Sequence, residues 1–149
     1  MKLIALSLVL LGLLTFAPTP SSAADPPKAH HIAIQIDVAD PAVLNMSLNN
    51  IRAIYSAYKD RHEPVDVELV AFGPGLAMLR DDISPVKQRL AEAHQSYPTL
   101  VFSACENSRQ AAMKAEGKDI AIVPEARLVP AGVVRLSELQ EQGFTYIRP

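Results

Sequence analysis

Thr99-Leu-Val-Phe-Ser-Ala-Cys105-Glu-Asn-Ser-Arg109 starts as an apolar run and ends on the single cysteine of the chain. Asn107 and Ser108, which follow at once, belong to the residue types that begin helices. The run is apolar on both faces of an extended chain, which predicts a strand over residues 99–104 buried on both sides in the interior of a sheet. A helix over residues 108–116 follows, with Ala111, Ala112 and Ala115 inward and Gly117 as its C-cap. This places a thiol at the carboxyl end of a buried strand, facing the start of a helix. Two readings of Cys105 stand side by side: a reactive group, or a small buried hydrophobe.

Working outward, the same strand-then-helix unit recurs. Ile32, Ile34 and Ile36 alternate with Ala33 and Gln35, a strand over residues 31–36. Asp40-Pro41 supplies a cap and a proline at the first helical position. Leu44, Leu48, Ile51, Tyr55 and Tyr58 then form one face of a helix ending near Lys59, while Arg52 and Lys59 fall on solvated faces. Residues 65–72 predict a second strand, with Val65, Val67 and Leu69 inward and Asp66 and Glu68 outward. The loop Gly73-Pro74-Gly75 and a short apolar piece, residues 76–79, come next. Ser84-Pro85 repeats the cap-then-proline start, and Val86, Leu90, Ala93 and Tyr97 are the buried face of the helix it opens. Beyond Gly117, residues 120–123 and 127–129 are each apolar enough to pair, and 127–129 is the preferred strand. A helix over residues 133–142, with Val133, Leu136 and Leu139 inward, and a strand over 144–147 close the chain. About five alternations of strand and helix predict a three-layer α/β/α domain on a mostly parallel sheet. In such sheets sites gather outside the carboxyl ends of the strands. That picks out the loops after the second and third strands, and a crevice lined by Phe72, Gly73, Gly75 and Cys105.

The amino terminus has a different character. Met1-Lys2 precedes a nearly unbroken apolar run to Phe16, and small residues then lead to Ala23 and Ala24. This is the layout of a secretory signal peptide over residues 1–24, cut near Ala23 or Ala24. The run is shorter than the ~20 residues of a transmembrane helix, so no membrane attachment is expected after cleavage. Residues 25–30 predict an exposed lead-in, and residues 31–149 a single domain. The formal net charge of −2 gives no electrostatic case for nucleic acid, which requires a basic face. One cysteine closes no intramolecular disulfide even in an oxidising compartment.

Among candidates for chemistry, Cys105 at a helix N-terminus would be favoured as thiolate. The adjacent Glu106 opposes that, and Arg109 one turn on offsets it. The Gly73-Pro74-Gly75 loop lacks the spacing and the lysine of phosphate-binding loops, so Gly73 and Gly75 are expected to serve turns with positive φ. His30 and His31 point to opposite faces of a strand and cannot share a metal. His62 and His94 have no ligand spacing around them, so neither a metal nor a cofactor is expected. Asp37 and Asp40, past the first strand, lie within reach of the Cys105 rim, though Asp40 is explained as a cap.

The layout, the Phe72-Gly-Pro-Gly75 loop, the cysteine ending the third strand and the closing stretch Gly132 to Pro149 resemble the DsrE/DsrF-like family, and in particular its small exported branch. The resemblance implies a DsrE/F-like fold, a homotrimer or homohexamer, and a persulfide carried on Cys105 and passed to the thiol of a partner protein. It departs from the family's relay members in two respects: those are cytosolic, and small apolar residues follow their cysteine where Glu106, Asn107 and Ser108 stand here. A reading of another class keeps the fold as a non-catalytic oligomeric binding or scaffold protein, with Cys105 structural and the helix start at Glu106, Asn107, Ser108 and Arg109 lining a ligand crevice.

Overall fold

The computed structural model describes residues 28–149; the signal peptide expected over residues 1–24 lies outside them. Five strands, β1 (His30–Ile36), β2 (Val65–Ala71), β3 (Leu100–Cys105), β4 (Ala126–Val129) and β5 (Thr145–Ile147), form one sheet. Their order is β4-β3-β2-β1-β5 and every pairing is parallel. The helices are α1 (Pro41–Asp60), α2 (Lys87–Ser96), α3 (Glu106–Glu116) and α4 (Gly132–Glu141), with a 3-10 segment over Gly73–Leu79. The domain is a three-layer α/β/α sandwich, and its sheet is wholly rather than mostly parallel.

Strand alternation divides the core in two. Ile32, Ile34, Val67, Leu69 and Phe102 face the layer of α1, α2 and the 3-10 segment. Ala33 and Val70 face Leu136 and Leu139 of α4. Because β1 to β4 step across the sheet in one direction, their right-handed connections lie on one face; the return from β4 to β5 reverses direction and carries α4 to the other. Adjacent strands β3 and β4 therefore send their helices to opposite faces, and the crevice at their carboxyl ends is the switch point of the sheet. Cys105 ends β3 at that crevice.

Several expectations shift. β1 begins at His30, whose N–H donates to Pro64 O at 2.9 Å. His30 stacks on Tyr58 and His31 lies against Phe144, so the two rings do point to opposite faces. Ser84 does not cap α2. Its hydroxyl donates to Met78 O at 2.5 Å, closing the turn before the helix, which begins at Lys87 with Val86 at the cap position. α3 starts two residues earlier than expected, and it has no buried residue: Ala111 and Ala115 are exposed, because the helix covers the sheet's edge rather than its centre. Val133, expected inward on α4, is 60% exposed, whereas Gly132, Leu136 and Leu139 are buried. The preferred pairing over residues 127–129 is present as β4, and Ile122 instead makes an isolated bridge to Arg80.

Candidate functional site

Cys105 is the last residue of β3 and also the N-cap position of α3. Its side chain shares a sheet face with Ser103 and Val129, the latter its register partner on β4. The N–H of Asn107 donates to Pro130 O at 3.3 Å, tying the first turn of α3 to the loop that opens α4. The two helix starts thus meet beside the end of β3. The residue is 4% exposed. Burial, the largest single influence, pushes the thiol pKa up; the Ser108 hydroxyl and the backbone N–H groups of Gly132, Ser108 and Asn107 together outweigh it, so that the net shift is downward. No side-chain capping hydrogen bond from Cys105 is present.

The loop after β2 forms the opposite wall. Gly73 N–H donates to Ser108 Oγ at 2.8 Å, which joins the two loops singled out in the sequence. Phe72 packs on Gly132: a Cβ there would lie 2.8 Å from that of Phe72, so only glycine lets the ring and the start of α4 approach this closely. Gly73 has the expected positive φ of 52°. Gly75 does not; what requires glycine there is backbone proximity, since a Cβ would sit 2.3 Å from Ile36 O. Gly75 therefore locks the 3-10 segment to the end of β1 rather than lining the thiol.

Glu106 is turned to other work than opposing the thiolate. Its carboxylate accepts from Arg109 Nε at 2.7 Å and Nη2 at 3.0 Å, and from Gln110 at 3.1 Å. Arg109, whose other Nη reaches Ile120 O at 3.1 Å, holds that carboxyl below its ordinary pKa. Arg109 thus pairs with the very carboxylate that the sequence expected it to offset. Asp37 and Asp40 are engaged elsewhere: Asp37 accepts from Arg148 at 2.9 Å, and Asp40 caps α1 through Ala42 N–H at 2.8 Å. Among the described residues no group of three or more His, Cys, Asp or Glu side chains gathers in metal-binding reach.

One cluster was not anticipated. Glu68, read as the polar half of an alternation with Val67 and Leu69, is 4% exposed on the α4 face of the sheet. Oε1 accepts from Ser103 Oγ at 2.7 Å and Arg135 Nε at 2.8 Å; Oε2 accepts from Arg135 Nη2 at 2.8 Å and Arg127 Nη2 at 3.0 Å. Arg127 Nε also donates to Ser103 Oγ at 3.2 Å. Burial favours the neutral acid, yet the donors from Arg135, Ser103 and Arg127 prevail and depress the Glu68 pKa. A signal was present: Glu68 precedes Leu69-Val70-Ala71 and Ser103 lies inside Val101-Phe102 and Ala104, polar residues within stretches long and apolar enough to be covered on both faces. Beside the cluster, β4 and α4 border a pocket of about 370 Å³ whose walls include Arg127, Pro130, Ala131, Val134 and Arg135. Cys105 is not among its walls.

No family model matches the chain. No curated protein matches it either. Among solved structures it is similar to that of MTH1491 from Methanobacterium thermoautotrophicum, a protein of unknown function, with 26% identity, a TM-score of 0.69, and coverage of 80% of this chain and 99% of that one. The likeness extends over nearly the whole of that molecule and supports the three-layer architecture.

Proposed function

We propose that this is an exported, DsrE-like sulfur-handling protein that carries persulfide on Cys105 and passes it to a partner thiol. The observation that carries this reading is a buried sulfur at the N-cap position of α3, where the Ser108 hydroxyl and nearby backbone N–H groups shift the thiol pKa downward. Thiolate, not thiol, attacks sulfur. In the loading step the Cys105 thiolate attacks the outer sulfur of a donor persulfide. A new S–S bond forms, the donor's own S–S bond breaks, and the donor leaves as a thiol after taking a proton. The acceptor thiolate then attacks the terminal sulfur and releases Cys105 as thiolate. No external oxidant or reductant is required, and no resolving cysteine either. Export rests on the amino-terminal sequence.

The test is intact-mass measurement of the mature protein before and after exposure to a low-molecular-weight persulfide. The wild type is expected to gain one sulfur atom and Cys105→Ala none. Its native-state alkylation rate is expected to rise with pH along a curve whose midpoint falls below the ordinary thiol value of about 8.5. A wild type that gains no sulfur and resists alkylation until unfolded sinks the reading. The 4% exposure of Cys105 favours the second reading in that event: a non-catalytic oligomeric binding protein with a structural cysteine.

Self-assembly as a trimer or hexamer belongs to the same proposal. What supports it is apolar surface around β4 and the start of α4: Val133 is 60%, Val134 53% and Leu128 48% exposed, and Val134 and Leu128 both border the β4–α4 pocket. Exposed apolar groups gathered in this way mark contact surfaces. Val134→Lys is expected to shift the mass in solution, read by light scattering, towards that of one chain. A wild type already monomeric at working concentration removes this part of the proposal.

A further inference from the structure

We propose that the groove between α1 and α2 is a docking site for an extended acidic segment of a partner protein, about five residues long. Its floor is anchored at Thr99, just before β3, whereas Cys105 ends that strand. The groove therefore stands apart from the reading of the thiol.

Two rows of residues make the groove. Leu48, Arg52, Tyr55 and Lys59 recur at spacings of four, three and four, which sets them along one side of α1. On α2, Arg89, Glu92, Ala93 and Ser96 form the row that meets them. Ser56, Ala93 and Ser96 are too small to fill the seam. Two adjoining depressions of about 440 and 240 Å³ result, with Arg52, Ser96 and Tyr97 on the walls of both. Between the helices the Tyr55 and Tyr97 rings stack at 4.2 Å, with their planes 4° apart. Tyr55 O–H donates to Thr99 Oγ1 at 3.0 Å, and Thr99 O–H to Val65 O at 2.7 Å, which ties the floor to β2. A platform ordered in advance costs little further ordering when a ligand arrives.

The charge of the walls sets the chemistry of the occupant. Arg52, Lys59 and Arg89 stand there against one carboxylate, Glu92, on a chain whose formal net charge is −2. None of the three cations belongs to an ion pair among the described residues. The helices' own needs explain only Lys59, which lies in the last turn of α1, where a cation complements the dipole. Arg52 is in mid-helix. Arg89 is in the first turn of α2, where the dipole opposes a cation and no acidic residue accompanies it. Its guanidinium donates to Asn45 O, Asn45 Oδ1 and Asn49 Oδ1, neutral oxygens that satisfy its donors and leave its charge unanswered.

Shape and polarity favour a peptide over other anions. From Leu48 to Lys59 the helix rises about 16 Å, a length that an extended chain covers with about five residues. Carboxylates along it meet Arg52 and Arg89 towards one end and Lys59 at the other, with an apolar side chain between them beside Tyr97. Glu92, Ser56 and Ser96 offer acceptors to peptide N–H groups. A phosphodiester backbone has no such donors, and Glu92 repels it. A flat lipid surface does not enter a seam between two helices.

The experiment titrates the isotope-labelled mature protein with a blocked peptide, glutamate-aspartate-leucine-glutamate-aspartate, and follows backbone amide shifts at low salt. Shifts are expected along the facing sides of α1 and α2, fading as salt is raised and exposed charges are screened. Arg52→Ala and Lys59→Ala, both at exposed positions, are each expected to weaken binding about fivefold, the worth of one exposed ion pair. Lys114→Ala makes the same change in net charge on the exposed side of α3 and should leave the affinity in place. Arg89 is kept intact, because it joins α2 to α1. The counterpart peptide with glutamine and asparagine should not bind. Absence of shifts at millimolar peptide, shifts centred elsewhere, equal binding of the uncharged peptide, or equal weakening in Lys114→Ala overturns the proposal. Tighter binding of an oligothymidylate or of anionic lipid vesicles to the same residues overturns it too, and assigns the groove to that class of partner.

Discussion

Glu68→Ala is expected to destabilise the fold by about 3 kcal/mol or more, measured by chemical denaturation near neutral pH. The carboxylate is the shared acceptor for three side chains, and its own side chain is 5% exposed. Removing it leaves the Arg135 guanidinium, 21% exposed, beside an apolar sheet with only Glu138 at 3.3 Å to answer it. An unmatched buried charge is what makes such a deletion expensive; the pair itself can be replaced at little cost. Glu68→Met combined with Arg135→Leu is therefore expected to recover most of the loss. The cluster also sets an acid limit. Because folding depresses the Glu68 pKa, the stability it contributes is fully present above the unfolded carboxylate value of about 4.3. It is lost as pH falls through the lower folded value. A pH scan should show a shallower acid slope in Glu68→Gln than in the wild type. A Glu68→Ala protein within about 1 kcal/mol of wild type would mean that water reaches the two arginines freely.

Why this cluster escaped the sequence explains what was legible and what was not. The order of elements followed from period-two and period-3.6 apolar patterns, from Asp40-Pro41 and from Gly117, because these are local and each acts on its own backbone. Glu68 was read as the polar half of an alternation with Val67 and Leu69. That is the correct face and the wrong environment, since what covers the face is α4, whose Arg135 stands 67 residues further on. The same partner misled the reading of α4. Val133, Leu136 and Leu139 fit a helical stripe, and so do Gly132, Arg135, Leu136 and Leu139. The first choice maximises apolar burial, but the sheet beneath offers a carboxylate, and the helix turns its arginine towards it. Cys105 was placed correctly at the strand end because the apolar run stops there. The neighbouring start of α4 was out of reach: that it lies beside the start of α3 depends on the reversal of direction after β4, which is a property of strand order and not of any segment.

Gly75→Ala is expected to be at least as damaging, and for a reason independent of charge. The added Cβ would lie 2.3 Å from Ile36 O, 2.5 Å from Ile36 C and 2.8 Å from Asp37 N. All three are backbone atoms at the end of an interior strand, so no side chain can swing aside. The same Ile36 carbonyl accepts from Phe72 N–H at 3.0 Å, and Gly75 N–H donates back to Phe72 O at 3.0 Å. Relieving the clash means lifting the 3-10 segment from β1 and breaking the first of these bonds. Overpacking of 1–3 kcal/mol and a lost hydrogen bond of about 1 kcal/mol add to a loss of roughly 3 kcal/mol in denaturation measurements. Gly73→Ala provides the contrast: φ is +52° with nothing within 4 Å of a Cβ, so only left-handed backbone strain of about 1 kcal/mol is added. The ordering is the sensitive point, because a rule based on positive φ alone predicts the reverse. Displacement of the segment also carries Phe72 away from Gly132 and pulls on the Gly73–Ser108 hydrogen bond. Gly75→Ala should accordingly alter the alkylation rate of Cys105 in whatever fraction stays folded, while Gly73→Ala changes it less. Equal stability losses in the two variants would show that the end of β1 yields, and that the wall beside the thiol is softer than its backbone contacts imply.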